Sequence, residues 1–417
     1  MMKMLWARKL RYGWLLGELL LVSLISWVLL DPLVTLWSVS SQPNGFETQG
    51  LYRVVLAEYQ NGTAAYDPAA VANDQRLTNK WRLLELVRSQ PQVEHATFFG
   101  PCGPFSQSSL YAACQLDTLS TYAWGIHVVP GSNYFQTMQF MEDQQTNAQL
   151  DEAFQGQSGN SLQRVILSAE AFPGRSALNR TDTVHHFRIV GTTAMVRMRG
   201  TGVPMPVMTF AINATQAQDI VVRLREGDNE SHLLSVFTDW AKRHLRAGNY
   251  YVREVQPFRE YINEDEKVLQ QQLRVRLILG GFFLLFLFLG VTGTFWMQTR
   301  SRSEEIGILK SFGATSATIV RSFLLEGLVL VTFAVAVACL LYLQYALKEG
   351  LYTPWGMEGN NLPTLQAGRY WFEDFALHFG VISLLTWLVM LLVVCLGIYL
   401  PARSMSRISA TAALADE

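Results

Sequence analysis

"EEIGILKSFGATSATIVRSFLLEG", residues Glu304 to Gly327, turns charged after one long apolar run and becomes apolar again as it enters another. The flanking runs are Val275 to Met297 and Ser322 to Ala346. A bilayer core of about 30 Å needs about 20 helical residues to cross it. Both flanks therefore read as membrane spans, and the charged stretch as a short connection held on one side. Tyr12 to Val39 and Phe375 to Leu400 satisfy the same criterion. The first follows Lys3, Arg8, Lys9 and Arg11, but it is too long for a signal-peptide h-region and no A-x-A site follows it, so it reads as a retained helix.

Composition agrees with a chain that is part bilayer and part water. Its 417 residues are 50% hydrophobic and 16% charged, with mean hydropathy +0.15. That is too apolar for an ordinary soluble protein and too charged for an all-membrane bundle. With 33 basic and 34 acidic residues the net charge is -1, which gives no field to gather nucleic acid.

Lys and Arg in the short flanks set the orientation. Lys3, Arg8, Lys9 and Arg11 precede the first span, Arg300, Arg302, Lys310 and Arg321 follow the second, and Arg403 and Arg407 follow the fourth. The connection from Lys348 to Asp374 is acidic by comparison, and its Tyr352, Trp355, Tyr370 and Trp371 suit an outer interface. The positive-inside rule then places both termini and the opening stretch in the cytoplasm. The expected fold is an α/β membrane protein with four transmembrane helices and a large mixed α/β extracytoplasmic domain between the first and second. The expected divisions are a cytoplasmic N-terminus (1–11), span 1 (12–39), an outer domain with stalk (40–274) and span 2 (275–298). An inner connection (299–318), span 3 (319–347), an outer loop (348–374), span 4 (375–400) and a cytoplasmic tail (401–417) complete the chain.

Within the outer domain, "LYRVVLAEY", "RVILSAEAF", "HFRIVGTTAMVRM", "MPVMTFAI" and "DIVVRLREG" are short β-branched runs bounded by turn residues. Helical patterns interleave. "DQRLTNKWRLLELVRSQP" puts Leu77, Trp81, Leu84 and Val87 on one face and stops at Pro91, and "ESHLLSVFTDWAKRHLRAGN" closes at Gly248. The strand "YYVREVQPF" leads into "REYINEDEKVLQQQLRVR", which has no turn signal before the second span and is expected to continue into it as one stalk. Cys102 and Cys114 lie in this domain and either bridge, for about 3 kcal/mol in the chain-entropy model, or remain two buried thiols. Cys339 and Cys395 fall inside spans and read as packing residues.

The inner stretch has the signals of a short separate helix. Ser301 to Glu304 fits the S-x-x-E capping box, Glu304 and Glu305 put negative charge in the first turn, Lys310 is near the last, and Gly313 stands at C′. Ile306, Leu309 and Phe312 form an apolar stripe, and Thr315 or Ser316 can cap the third span. These signals fit a helix gripped by a partner and equally one lying in the membrane interface.

"RSEEIGILKSFGATSATIVRSFLLEGLVL" resembles the R-x-R-E-I-G-I-x-x-x-x-G-A-x-x-x-x-I-x-x-x-F-L-x-E segment of FtsX/MacB-family permeases, the transmembrane subunits of type VII ABC transporters. "GIYLPARSMSRISATAALADE", with Pro401, Ala402 and Arg403, is similar to the family's closing motif, although Ala410 and Ala412 depart from it. The outer runs resemble those of MacB-like periplasmic domains by placement.

The resemblance implies a bacterial inner-membrane permease that works as a homodimer or heterodimer. It implies a cytoplasmic ABC ATPase subunit as partner, with ATP and Mg on that subunit and no cofactor on this chain. A periplasmic adaptor is a further partner, and membrane lipid surrounds the spans. By the same resemblance, Glu304, Glu305, Ile306, Gly307, Leu309, Lys310, Gly313 and Ala314 form the ATPase-coupling helix. Gly307 would allow close approach, Ile306 or Leu309 would fill an apolar notch, and closure of the ATPases would move the stalks. The implied function is mechanotransmission for efflux or export of a periplasmic or envelope substrate, with lipoprotein extraction or antimicrobial-peptide defence as alternatives.

No G-x-x-x-x-G-K-[ST] loop occurs in the sequence, so the ATPase is expected on a separate polypeptide and the chain is not expected to be an enzyme. A membrane-anchored sensor shares the layout but needs an inner signalling module. Glu18 and Glu326 are intramembrane acids, expected to pair with a base or a neighbouring-helix donor. Asp31, before Pro32, reads as an outer cap. "GQSGN" at Gly156 to Asn160 lacks the last glycine of a nucleophile elbow. His185 and His186, on opposite faces of an expected strand, do not suit one metal, and no metal site is expected.

Overall fold

The computed structural model describes residues 9–155, 162–225, 230–300, 303–354 and 370–406. Among the described residues four helices are long and apolar enough to cross a membrane: α1 (Lys9–Ser40), α6 (Phe258–Arg300), α8 (Ser316–Glu349) and α9 (Phe375–Met405). A mixed α/β domain lies between the first and second, so the expected fold is borne out.

The chain divides into two compact units. One holds the described parts of residues 1–38, 271–353 and 366–417, and the other is built around residues 39–270. The division falls inside α6, a single helix of 43 residues, which at 1.5 Å per residue is about 65 Å long.

The second unit has two five-stranded sheets. The first is antiparallel, in the order β11 (Arg246–Ala247), β12 (Tyr250–Pro257), β1 (Leu51–Glu58), β10 (Asp219–Leu224), β2 (Val93–Phe99). Helices α2 (Asn73–Arg88) and α5 (Glu230–His244) share a core with it through Leu83, Leu84, Val87, Phe237 and Ala241 against Val54, Phe98 and Val222. The expected face of α2 is turned slightly: Lys80 is buried, while Leu77 and Trp81 are only partly so.

The second sheet runs β3 (Tyr111–Leu116), β4 (Leu119–Val128), β9 (Val207–Ala211), β5 (Arg164–Ser168), β6 (Arg188–Thr193). Here β4 pairs with β9, and β5 with β6, in parallel. A two-stranded piece, β7 (Val196–Arg197) with β8 (Pro204–Met205), completes the strands described. Short helices α3 (Tyr134–Met138) and α4 (Asn147–Gln155) fill a core that also takes in the first turns of α6 through Phe258, Tyr261 and Ile262. Polar contacts fix the same root. Arg197 Nη1 lies 2.9 Å from Glu266 Oε1, and Gly200 N donates to Asp265 Oδ2 at 2.6 Å.

Cys102 and Cys114 take the free-thiol alternative, both buried. The Cys102 carbonyl accepts from His127 N, whereas Cys114 stands opposite Thr121. Those two β4 residues are six apart, which at 3.3–3.4 Å per residue is about 20 Å, while a bridge needs Cα atoms within about 7 Å. Burial pushes the Cys114 thiol up to about 12, with Asp182 adding to it. His185 sits in a turn and His186 in the loop after it with φ 58°, so neither is on a strand as expected. Among the described residues no group of three His, Cys, Asp or Glu side chains could hold a metal. "GQSGN" lies outside the described residues.

Candidate functional site

The inner stretch folds as a nine-residue helix, α7 (Ser303–Ser311), narrower than the 299–318 expected for it. Its C-terminus closes because Gly313 adopts φ 86°, a left-handed conformation that costs glycine nothing. Gly313 N then donates to Lys310 O at 2.9 Å and Ala314 N to Leu309 O at 3.0 Å, the paired bonds of a Schellman end. Two residues on, Thr315 Oγ1 accepts from Thr318 N at 3.2 Å and starts α8. Ser301 and the side chains of Glu304 and Glu305 lie outside the described residues.

The apolar stripe is split between two directions. Ile306 is 3% exposed and belongs to the membrane core with Leu15, Phe295, Ile319, Phe323 and Ile398. Gly307 is buried as well. Of the two residues expected to fill a partner's notch, Ile306 is covered within the chain and Leu309 is exposed, and Gly307, expected to offer its backbone, is covered as well. Ile308 is 50% exposed, Leu309 52% and Phe312 86%. Spacings of three and four put this trio on one face. Lys310 and Ala314 are half-buried beside it.

The tail motif braces this end of the membrane unit. Pro401 lies inside α9, and Ala402 is fully buried in the same core as Ile306. Ser406 N donates to Ala402 O at 2.9 Å, and the Ser406 carbonyl accepts from Ser316 Oγ at 2.6 Å, which ties the end of α9 to the start of α8. Arg403 is exposed and donates to Tyr399 Oη at 3.0 Å. Ala410 and Ala412 lie outside the described residues.

Of the two intramembrane acids, Glu18 is half-buried with its carboxylate against α6 at Gly290, where a β-carbon would overlap it. Glu326 is half-buried on α8.

Asp31 is not a cap. The helix continues past Pro32 to Ser40, and Asp31 is 1% exposed. Its Oδ1 lies 2.7 Å from His378 Nε2 on α9, and its Oδ2 accepts from Tyr352 N at 3.1 Å. His378 Nδ1 is 3.0 Å from the Phe372 carbonyl, and the edge of Trp371 closes on the ring at 5.0 Å. A carbonyl can only accept, so Nδ1 is the donor there and Nε2 is the nitrogen that meets the carboxylate. The pair joins α1 to α9 by a buried hydrogen bond. Sequence reading missed it because the partners are 347 positions apart.

Residues 277–409 match the family described as FtsX-like permease C-terminal. The C-terminal membrane segment is thus similar to an FtsX-like permease domain. That domain takes in α7, the tail brace and His378, whereas Asp31 lies outside the matched range. Among solved structures, the chain is similar to the periplasmic region of MacB from Actinobacillus actinomycetemcomitans, at 11% identity and TM-score 0.29, over 53% of this chain and 94% of that one. The extracellular domain of the noncanonic ABC-type transporter YknZ from Gram-positive bacteria gives 11% identity and TM-score 0.29, over 48% of this chain and 100% of that one. No curated protein matches the chain. The family likeness rests on the match over residues 277–409.

Proposed function

We propose that this multi-pass membrane protein is the permease subunit of a bacterial inner-membrane ABC transporter of the FtsX/MacB type. A separate cytoplasmic ATPase, holding ATP and Mg, seats on the exposed face of α7, and its cycle moves the outer domain through α6. The observation that carries this reading is the division of labour within α7. Ile306 anchors the helix in the membrane core, while Ile308 and Leu309, and Phe312 just past the helix end, are left at least half exposed by the described residues. Soluble surfaces with clustered large apolar side chains mark interaction sites.

Transmission is supported by continuity. The helix whose first turn is rooted by Phe258 and Tyr261 in the outer core is the same helix that carries Leu287, Val291 and Phe295 in the membrane core. No break in its hydrogen-bond ladder is needed for a tilt to be passed along. The outer domain faces the periplasm, two permeases assemble as a homodimer or heterodimer, and the work done is efflux or export of an envelope substrate.

Gentle purification from native membranes tests the reading. A polypeptide with a phosphate-binding loop is expected to co-purify, with ATPase activity that depends on this chain, and the stoichiometry distinguishes the two dimers. Intrinsic hydrolytic turnover by the purified chain, with no associated ATPase, would contradict it.

A further inference from the structure

In the outer domain, β1, α2, β10 and β12 line an open pocket of about 440 Å³ that collects five charged groups: Arg53, Glu58, Arg76, Lys80 and Asp219. Both carboxylates are already engaged. Asp219 Oδ2 accepts from Arg53 Nη2 at 2.6 Å and Nε at 2.8 Å, and its Oδ1 takes Leu56 N at 2.9 Å, where β1 bulges between Val55 and Leu56. Glu58 takes Arg76 Nη2 on both oxygens, at 2.6 and 2.7 Å.

The donors are left in surplus. Lys80 is 3% exposed, and its Nζ donates to the Ala217 carbonyl at 3.0 Å and stands 4.5 Å from the centre of the Tyr250 ring. An ammonium has three N–H groups, and one carbonyl accounts for one of them. Arg76 Nε is buried in the same pocket without an acceptor. Three cations face two carboxylates, so a single positive charge is uncompensated. Burying a charge without a full partner is costly. Burial accordingly lowers Lys80 to about 8, against the opposing pull of Asp219 and Glu58.

We propose that this pocket is a binding site for the carboxylate of a small organic anion, with Lys80 and Arg76 as its donors and Tyr250 as its wall. One surplus charge matches a monoanion and is exceeded by a phosphate dianion. The site is independent of the α7 face, and its test does not involve an ATPase.

Calorimetric titration of the full-length protein with sodium benzoate decides the matter. The charged groups facing Lys80 are Arg53 and Glu58 of β1, Arg76 of α2 and Asp219 of β10, with Tyr250 of β12 beside them. Binding requires the protonated amine, so with Lys80 near 8 the affinity is expected to fall about tenfold from pH 7 to pH 9, with proton uptake at the higher pH. Lys80→Met, which keeps the length and removes the charge, is expected to abolish binding. Absence of benzoate binding by the unaltered protein, affinity that does not change between pH 7 and 9, or unchanged binding by the variant would each overturn the proposal. Tighter binding of inorganic phosphate than of benzoate at pH 7 would overturn the carboxylate assignment. If Lys80→Met does not fold, the pH dependence of the unaltered protein still decides.

Discussion

Replacing Leu309 and Phe312 together by Asp is expected to weaken association with the ATPase by about 100-fold or more, which is about 2.8 kcal/mol at 1.4 kcal/mol per decade. Burying a Leu or Phe side chain yields about 1.5–3 kcal/mol, and exposed aromatic and aliphatic anchors carry most of the energy where a partner covers them. The charge adds a desolvation cost to the lost apolar contact. Because both side chains project out of the membrane core, the variant's melting temperature in detergent is expected to stay within about 2 °C of the parent's, surface changes being within about 0.5 kcal/mol. Ile306→Ala supplies the opposite pattern. Its side chain is in that core, so about 2–5 kcal/mol of stability is expected to go. Unchanged association by the Leu309/Phe312 variant, measured by co-purification and by surface binding, would leave α7 as a helix that merely lies in the membrane interface.

Asp31→Ala is expected to destabilise the membrane unit by about 3–5 kcal/mol, the cost of stranding one member of a buried pair. His378 would keep its bond to the Phe372 carbonyl but lose the partner on Nε2, with only Thr35 Oγ1 at 3.5 Å nearby. His378→Phe alone takes the partner from Asp31 Oδ1, leaving the carboxylate the Tyr352 N–H, and is expected to cost a similar amount. The double variant Asp31→Leu with His378→Phe removes both polar groups, so its loss is expected to be well below the sum of the single losses, a coupling that a thermodynamic cycle in detergent reads directly. Additive losses would mean that the two side chains do not act as a pair.

The layout was legible in the sequence because its signals are local. An apolar run long enough to cross a bilayer needs no tertiary context to be read, and neither does the missing turn signal between Pro257 and the second span. β1, β5, β6, β9 and β10 were readable from their β-branched runs. The β3–β4 hairpin was not, because its two-residue turn uses Asp117 at φ 57° and Thr118 where a glycine would have announced it. The helical character of α7 was legible, but not its orientation. Ile306 and Leu309 are equivalent in a spacing pattern, and only the packing of Leu15, Ile319 and Ile398 decides that Ile306 turns inward. Asp31 was misread for the same reason. An Asp before a Pro looks like a helix end when the His that satisfies it is on a distant span. Lys80 gave no sign either, because a lysine on an amphipathic helix ordinarily faces water and its burial depends on the carbonyl of Ala217 and the ring of Tyr250.

The most direct measurement places a photo-crosslinking residue at position 312, in place of Phe312, in native membranes, and identifies the adduct by mass spectrometry with and without ATP. The predicted result is a covalent adduct with a nucleotide-binding polypeptide, formed from the cytoplasmic side and changing in yield with nucleotide. Reaction of position 312 with a membrane-impermeant reagent applied from outside, or adducts with lipid alone, would contradict it.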